Sequence, residues 1–327
     1  MTDKNPLTQL SKVNEIMNVK LGDTPKGLMT VQNYLQRFGY LDSDDYERGV
    51  YDKATLVGLQ DFQRRFNLSN SGVFDSETKA LMQLPRCGIT DTRMSFRFSL
   101  TCCWDKRQLL YAFDNGTDQV AGNQEFGPIR AAINTWMEAV EVDFIEVGPG
   151  DSPDVLIGWR TANDPDYSMI GSVVAHADFP PDCSVVANNL PKPIHFDDTE
   201  HNWVIGAVPS GLDIETVALH EIGHILGLAH SSEMDAVMAP FVRFNSTKRE
   251  LTNDDIKGVR QLYPTVPFVQ ELSVSIAADL VRAAGLVPRI IGPNNSNASV
   301  FRQSPRGGRA ADCFSTVTLQ TRTGPIL

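Results

Sequence analysis

The stretch HEIGHILGLAH, residues 220–230, decides how the rest of the chain is read. On a helix, residues four apart share a face, so His220 and His224 aim both imidazoles at one point. Glu221 follows the first histidine, where a carboxylate can take a proton from a water on the open side of a bound metal. Gly227 permits the left-handed turn that ends the helix and brings His230 round as a third nitrogen ligand. Three neutral nitrogens with one open position describe a catalytic zinc centre rather than a closed structural one. Asp213 stands at the helix start as an N-cap, with Glu215 in the first turn, where the helix dipole favours negative charge. The reading predicts a helix over about residues 214–226. All six histidines of the 327-residue chain fall between residues 176 and 230.

Outward from this stretch, short β-branched or alternating runs at 109–113, 144–147, 155–159 and 172–175 read as strands. A helix is expected at 129–140, with Ile133, Trp136, Met137 and Val140 on one face. Another is expected at 253–263, stopped by Pro264. This order is that of a mixed α/β domain. Residues 21–84 differ: Leu28, Val31, Leu35 and Phe38 recur at helical spacing, as do Leu56, Leu59, Phe62 and Phe66, and a last short helix is expected at about 76–84. Past residue 264 the charge changes sign. Residues 265–327 hold six arginines against Glu271, Asp279 and Asp312, whereas the whole chain carries −11, so the tail reads as a separate unit.

Composition excludes some functions. The acidic balance argues against nucleic acid as a partner, and no run of about 18 apolar residues suggests a membrane span. The start, MTDKNPLTQLSKVNEIMNVKLG, lacks the apolar region of a secretory signal. Five cysteines (Cys87, Cys102, Cys103, Cys183, Cys313) leave at least one without an intramolecular partner. Cys102 or Cys103 pairing with Cys183 and a wholly reduced set both remain open.

Met238 lies eight residues past His230, in AVMAP. The long zinc motif followed by a methionine turn resembles the metzincins. Further segments narrow the resemblance to the matrixins, the matrix metalloproteinase family: PRCG at 85–88, VVAHAD, IHFDDTEHNW, His230-Ser231 and LTNDDIKGVRQLYP. It covers residues 85–264 continuously. It implies an α/β metzincin (zincin-like) catalytic domain with a twisted mixed sheet and an active-site helix. His220, His224 and His230 would hold the catalytic zinc, Glu221 would be the general base, and Met238 would lie beneath the metal. Cys87 would be the ligand of a latent form, with Arg86 paired to Asp91. Ser172, Val173, Val174 and Ala175 would form a cleft rim that pairs antiparallel with an extended peptide. The segment after Pro240, roughly Phe241 to Lys248, would line the primary specificity pocket, which in this family usually takes an apolar side chain. Asp254 and Asp255 match an acidic pair that binds the new amino terminus after activation.

The chain also departs from the family pattern. Thr90 stands where the family has proline. A second, structural zinc needs a histidine that the loop TANDPDYSMIG lacks, leaving His176 and His195 with Asp164 or Asp166. A calcium site keeps Asp197 and Glu200, but its glycine-rich loop is altered. LMTVQNYLQRFGYL and the segments after it resemble a three-helix peptidoglycan-binding-like domain, and the tail resembles a PASTA domain with one helix and three strands.

The expected layout is therefore multidomain: a small three-helix prodomain at 21–84, a cysteine-switch linker at 85–95, a catalytic domain at 96–264 and a small α+β unit at 265–325. The function expected is a secreted zinc endopeptidase made as a zymogen, acting on proteins or peptides in the cell envelope or outside the cell. The alternative is a peptidoglycan-binding scaffold with an incidental protease domain. A peptidoglycan amidase is disfavoured.

Overall fold

A computed structural model describes residues 7–91, 102–186 and 189–323. The expected linker and catalytic-domain boundary, near residue 95, lies outside the described residues. Seven α-helices and three sheets are seen among those described.

The N-terminal unit has helices α1 (Leu28–Arg37), α2 (Lys53–Arg65) and α3 (Ser76–Met82). Asp52 and Asp75 cap α2 and α3 by accepting from the backbone N–H groups of Thr55 and Thr78. Leu28, Val31, Leu35, Phe38, Leu59, Phe62 and Phe66 fill its core. Leu10, Val13 and Ile16 join them, so this core begins before residue 21.

The central sheet runs β1 (Arg86–Cys87), β5 (Val173–Ala177), β6 (Lys192–Asp197), β4 (Val155–Arg160), β2 (Gln108–Phe113), β3 (Asp143–Glu146) in spatial order. Only the β5–β6 pair is antiparallel. Strand β6 carries His195 and continues the sheet between β4 and β5. It eluded the periodicity reading because Pro191 and Pro193 interrupt the run of apolar residues. Helix α4 (Phe126–Ala139) packs against α5 (Ile214–Ile225) and buries Ile129, Ile133 and Trp136 in the core shared with the sheet. Two short strands, β7 (Trp203–Val204) and β8 (Leu212–Asp213), lead into α5.

Helix α5 is buried along almost its whole length, His220, Glu221 and His224 included. Its carbonyls are fastened by three aromatic donors, Trp136 Nε1 to Leu219 O at 2.8 Å, Trp104 Nε1 to Ile225 O at 2.7 Å and the Tyr263 hydroxyl to Leu226 O at 3.0 Å. The helix ends at Gly227, whose φ is 101°, and Leu228 N–H closes back on Gly223 O. Helix α6 (Asn253–Leu262) begins with a capping box of Thr252 and Asp255. The Asp255 carboxylate also accepts from the N–H groups of Val237 and Met238, which holds the methionine turn under α5.

The tail forms α7 (Val274–Ala283) and a sheet ordered β10 (Ala298–Ser304), β11 (Thr316–Thr323), β9 (Val287–Ile291). It is tied to the central domain by a Cys103–Cys313 disulfide and by Arg107, which donates to Pro264 O and Ala311 O. A second disulfide joins Cys102 to Cys183. The adjacent cysteines thus take separate partners, Cys87 alone is free, and the wholly reduced alternative is set aside.

The turn at Gly227 gives a direct prediction. A Cβ there would lie 1.8 Å from Cys102 O, on a backbone with positive φ. Gly227→Ala should destabilise the protein by at least about 2 kcal/mol, and thermal unfolding of the variant checks this.

Candidate active site

Helix geometry and the Gly227 turn bring His220, His224 and His230 together, and PRCG brings Cys87 to face them. One ligand atom from each lies within 4.8 Å of all the others, and all four residues are buried. Each imidazole is oriented from behind. His220 Nδ1 donates to Val237 O at 2.8 Å, His224 Nδ1 to Leu228 O at 2.7 Å, and His230 Nδ1 to the Asp91 carboxylate at 2.8 Å. These bonds set the tautomer, so each Nε2 presents a lone pair inward. His230 Nε2 is buried with no protein partner, and the Nε2 atoms of His220 and His224 approach to 3.1 Å. Burial pushes His220 and His224 well below the usual imidazole range and His230 down to about 3, so all three are neutral donors. Such a set fits zinc, with Cys87 Sγ as the fourth donor.

Cys87 Sγ lies 3.5 Å from His224 Nε2 and 3.7 Å from Glu221 Oε2. Burial first, then the neighbouring carboxylate, pushes the thiol well above its ordinary range. A coordinating cation reverses that, because it deprotonates a thiol outright. Burial also lifts Glu221 to about 8, which suits a group that must both take and return a proton near neutral pH. Glu221 Oε1 is buried without a partner in the protein.

The sequence-predicted Arg86–Asp91 pair forms at 2.6 Å with both side chains fully buried. Tyr40 donates to Asp91, Arg86 donates to Tyr34, and the Arg86 guanidinium lies 3.5 Å from the centre of the Phe38 ring. Burial alone would raise Asp91, but Arg86 and His230 outweigh it and hold the carboxyl below the usual range. The bond from Asp91 to His230 joins residues 139 apart and had no local signal in the sequence.

PRCG lies across the cleft as a strand. Arg86 N–H donates to Ser172 O at 2.8 Å and Gly88 N–H to Ala175 O at 2.9 Å, while Cys87 N–H donates to Pro240 O and Val242 N–H to Pro85 O. Both walls of the expected cleft, residues 172–175 and 240–242, are therefore engaged. A cavity of about 260 Å³ opens beside Glu221 and is lined by Val174, Val217, Met234, Pro240, Phe241 and Lys248, among others. Phe241 also belongs to the N-terminal core, 5.0 Å from the Phe66 ring. Met238 is buried under α5, where a Cβ on Gly223 would meet its sulfur. Asp254 accepts from Ser231, and Asp255 is spent on the methionine turn.

The other predicted metal residues sort differently. Asp164, His176 and His195 form a buried triad, with Asp164 Oδ2 3.1 Å from His176 Nε2 and 2.6 Å from His195 Nδ1. Asp166 stays apart, with its carboxylate 3.7 Å from His195 and half exposed. The described residues therefore supply three donors where tetrahedral zinc takes four. Asp197 accepts from Thr199 and lies 3.8 Å from His201 Nε2, and Glu200 accepts from Gly171 N–H, but no group of three metal donors forms around them among the described residues. Nearby, Lys192 pairs with Asp178 at 3.2 Å, a buried contact that the sequence reading missed.

Residues 103–264 match the family model "Matrixin", and residues 24–82 match the model described as "Putative peptidoglycan binding domain". Metalloendoproteinase 1-MMP of Arabidopsis thaliana is 29% identical over 86% of this chain and 81% of its own length. Metalloendoproteinase 1 of Glycine max is 29% identical over 75% and 85%. Matrix metalloproteinase-15 of Homo sapiens is 30% identical over 72% of this chain and 38% of its own length. Residues 103–264 thus form a matrixin domain preceded by a peptidoglycan-binding-type module, and the chain is a zinc metalloendopeptidase.

Proposed function

We propose that this endopeptidase is a latent zymogen, silenced by Cys87 and acting outside the cytoplasm once residues 1–88 are removed. The observation that carries the reading is the meeting of Cys87 Sγ with three imidazole nitrogens and Glu221 in one buried cluster. His220, His224 and His230 are the zinc ligands, and Cys87 is the fourth in the latent form. When bound, zinc supplies a Lewis acid that polarises the scissile carbonyl and lowers the pKa of water to about 7. Glu221 takes the proton of the attacking water and passes it to the leaving amine. Strand β5 receives the extended peptide by β-augmentation, antiparallel to itself.

The prosegment runs the other way. It pairs parallel to β5, which places a thiol rather than a peptide carbonyl before the histidines, so it occupies the cleft without offering a bond to cut. The pairing of Asp91 with Arg86 and His230 ties this segment to a ligand of the centre itself. Two disulfides and the peptidoglycan-binding-type module support export to an oxidising compartment or the cell envelope. The single helix and three strands of residues 265–323 support reading the tail as PASTA-like. A second ion at Asp164, His176 and His195 would need a fourth donor such as water or Asp166. Among the described residues, no third carboxylate groups with Asp197 and Glu200 to hold calcium.

Several outcomes test this reading. Glu221→Gln should keep one zinc per chain but lower peptide hydrolysis by about 10²- to 10⁴-fold, with zinc content and turnover measured on the same sample. Full activity of that variant would contradict Glu221 as the base. Cys87→Ser should yield hydrolysis, or self-processing, without added protease, and a chelator should abolish it. Asp91→Ala leaves Arg86 buried without its partner, a loss of about 3–5 kcal/mol. It should therefore loosen the prosegment, seen as faster limited proteolysis near residue 88, while the loss of the His230 partner lowers zinc content.

A further inference from the structure

The carbonyls at the exit of α5 are met from two sources. Those of Gly223 and His224 accept from the N–H groups of Leu228 and Gly227, within the exit turn itself. Those of Ile225 and Leu226, which a helix end leaves without intrahelical partners, are met from outside by Trp104 Nε1 and the Tyr263 hydroxyl. Tyr263 in turn accepts from Trp104 N–H at 3.3 Å. Cys102 O fills the space beside Gly227 where a side chain would stand. Residues 102–104 thus hold the turn whose Leu228 O orients His224 and from which the chain runs on to His230. This segment is itself fastened twice, Cys102 to Cys183 and Cys103 to Cys313. The first bond leads to a loop fixed by the buried Asp178, which accepts from the N–H groups of Phe179 and Val185 and from the Lys192 ammonium. Phe179 is buried, packs edge to face with His224 at 5.2 Å between ring centres, and clusters with Cys87, Ile89, Cys102 and Cys183. The second bond leads to the C-terminal unit, which Arg107 also holds through Pro264 O and Ala311 O.

We propose that the two disulfides make residues 102–104 a positioning clasp on the exit of α5, which keeps His224 and His230 in place for zinc once the prosegment has left. Removal of residues 1–88 takes Cys87 out of the buried cluster and makes 102–104 part of the amino-terminal stretch of the active chain, where an untethered segment frays. The bond to Cys183 keeps Phe179 against His224 and Cys102 O against Gly227. The bond to Cys313 makes the C-terminal unit a support of the zinc centre, although it supplies none of the grouped metal donors among the described residues. This role rests on the latency proposed above, and zinc retention reports it without requiring hydrolysis.

The test compares the parent with the paired variants Cys102→Ser/Cys183→Ser and Cys103→Ser/Cys313→Ser and with Trp104→Phe, each at full length and after removal of residues 1–88. Trp104→Phe keeps both disulfides and loses only the donor to Ile225 O, so it decides even where a serine pair fails to fold. At full length, with Cys87 still closing the cluster, zinc release into a chelator should stay within about threefold of the parent. After removal of residues 1–88, each variant should release zinc about tenfold faster or more, with kcat about tenfold lower and KM within about threefold. A lower melting temperature with zinc release and kcat like the parent's would show that these groups only stabilise the fold, and it overturns the proposal. Release that is faster by the same factor in both forms overturns it too. A parent that loses residues 1–88 without gaining hydrolysis overturns the latency reading, while the zinc measurement still decides the clasp.

Discussion

Three imidazole rings held from behind by fixed oxygens are the constraint on which the rest of the structure depends. Two of those oxygens are backbone carbonyls of the loop and turn that follow α5, Leu228 and Val237, and the third is the Asp91 carboxylate. A histidine ligand is only as well placed as its outer hydrogen bond. Helix α5 must therefore be rigid, its exit turn tight and the methionine turn close beneath it. The aromatic donors of Trp104, Trp136 and Tyr263, the Asp255 carboxylate and Gly227 supply those conditions.

The proposed latent form adds a layer with its own chemistry. Arg86 and Asp91 are both removed from water, at a cost that their mutual bond offsets only because Tyr34, Tyr40, Phe38 and His230 complete their surroundings. Most of these partners belong to the N-terminal unit, and one belongs to the metal centre. Docking of that unit, closure of PRCG across the cleft and positioning of His230 are therefore one cooperative event. Loss of Arg86 or Asp91 leaves the other charge buried and unpaired. Phe241 adds to the coupling, because the side chain that covers the N-terminal core also walls the cavity beside Glu221.

Much of the site was legible because its chemistry is local. Spacings of four and six residues place three histidines around one helix end, and an N-cap, an acidic first turn and a glycine stop mark the bounds of α5. Cys87 was legible through its Pro-Arg and Gly neighbours. What escaped reading is long-range: the Asp91 bond to His230, the Cys103–Cys313 link of the tail, and the Asp178–Lys192 pair. No periodicity encodes such contacts, since they depend on how separate elements dock. Strand β6 escaped for a local reason, its prolines. The Asp164 triad lies between these cases. Its members were named from sequence, but only the fold shows that one carboxylate oxygen takes both imidazoles while Asp166 stands aside.

The central claim is that the Cys87 sulfur completes the metal set of the latent chain. X-ray absorption at the zinc edge of the full-length protein tests it most directly. The account predicts three nitrogen neighbours at about 2.0–2.1 Å and one sulfur at about 2.3 Å, with the sulfur replaced by oxygen once residues 1–88 are removed. A first shell of nitrogen and oxygen alone in the intact chain would contradict it.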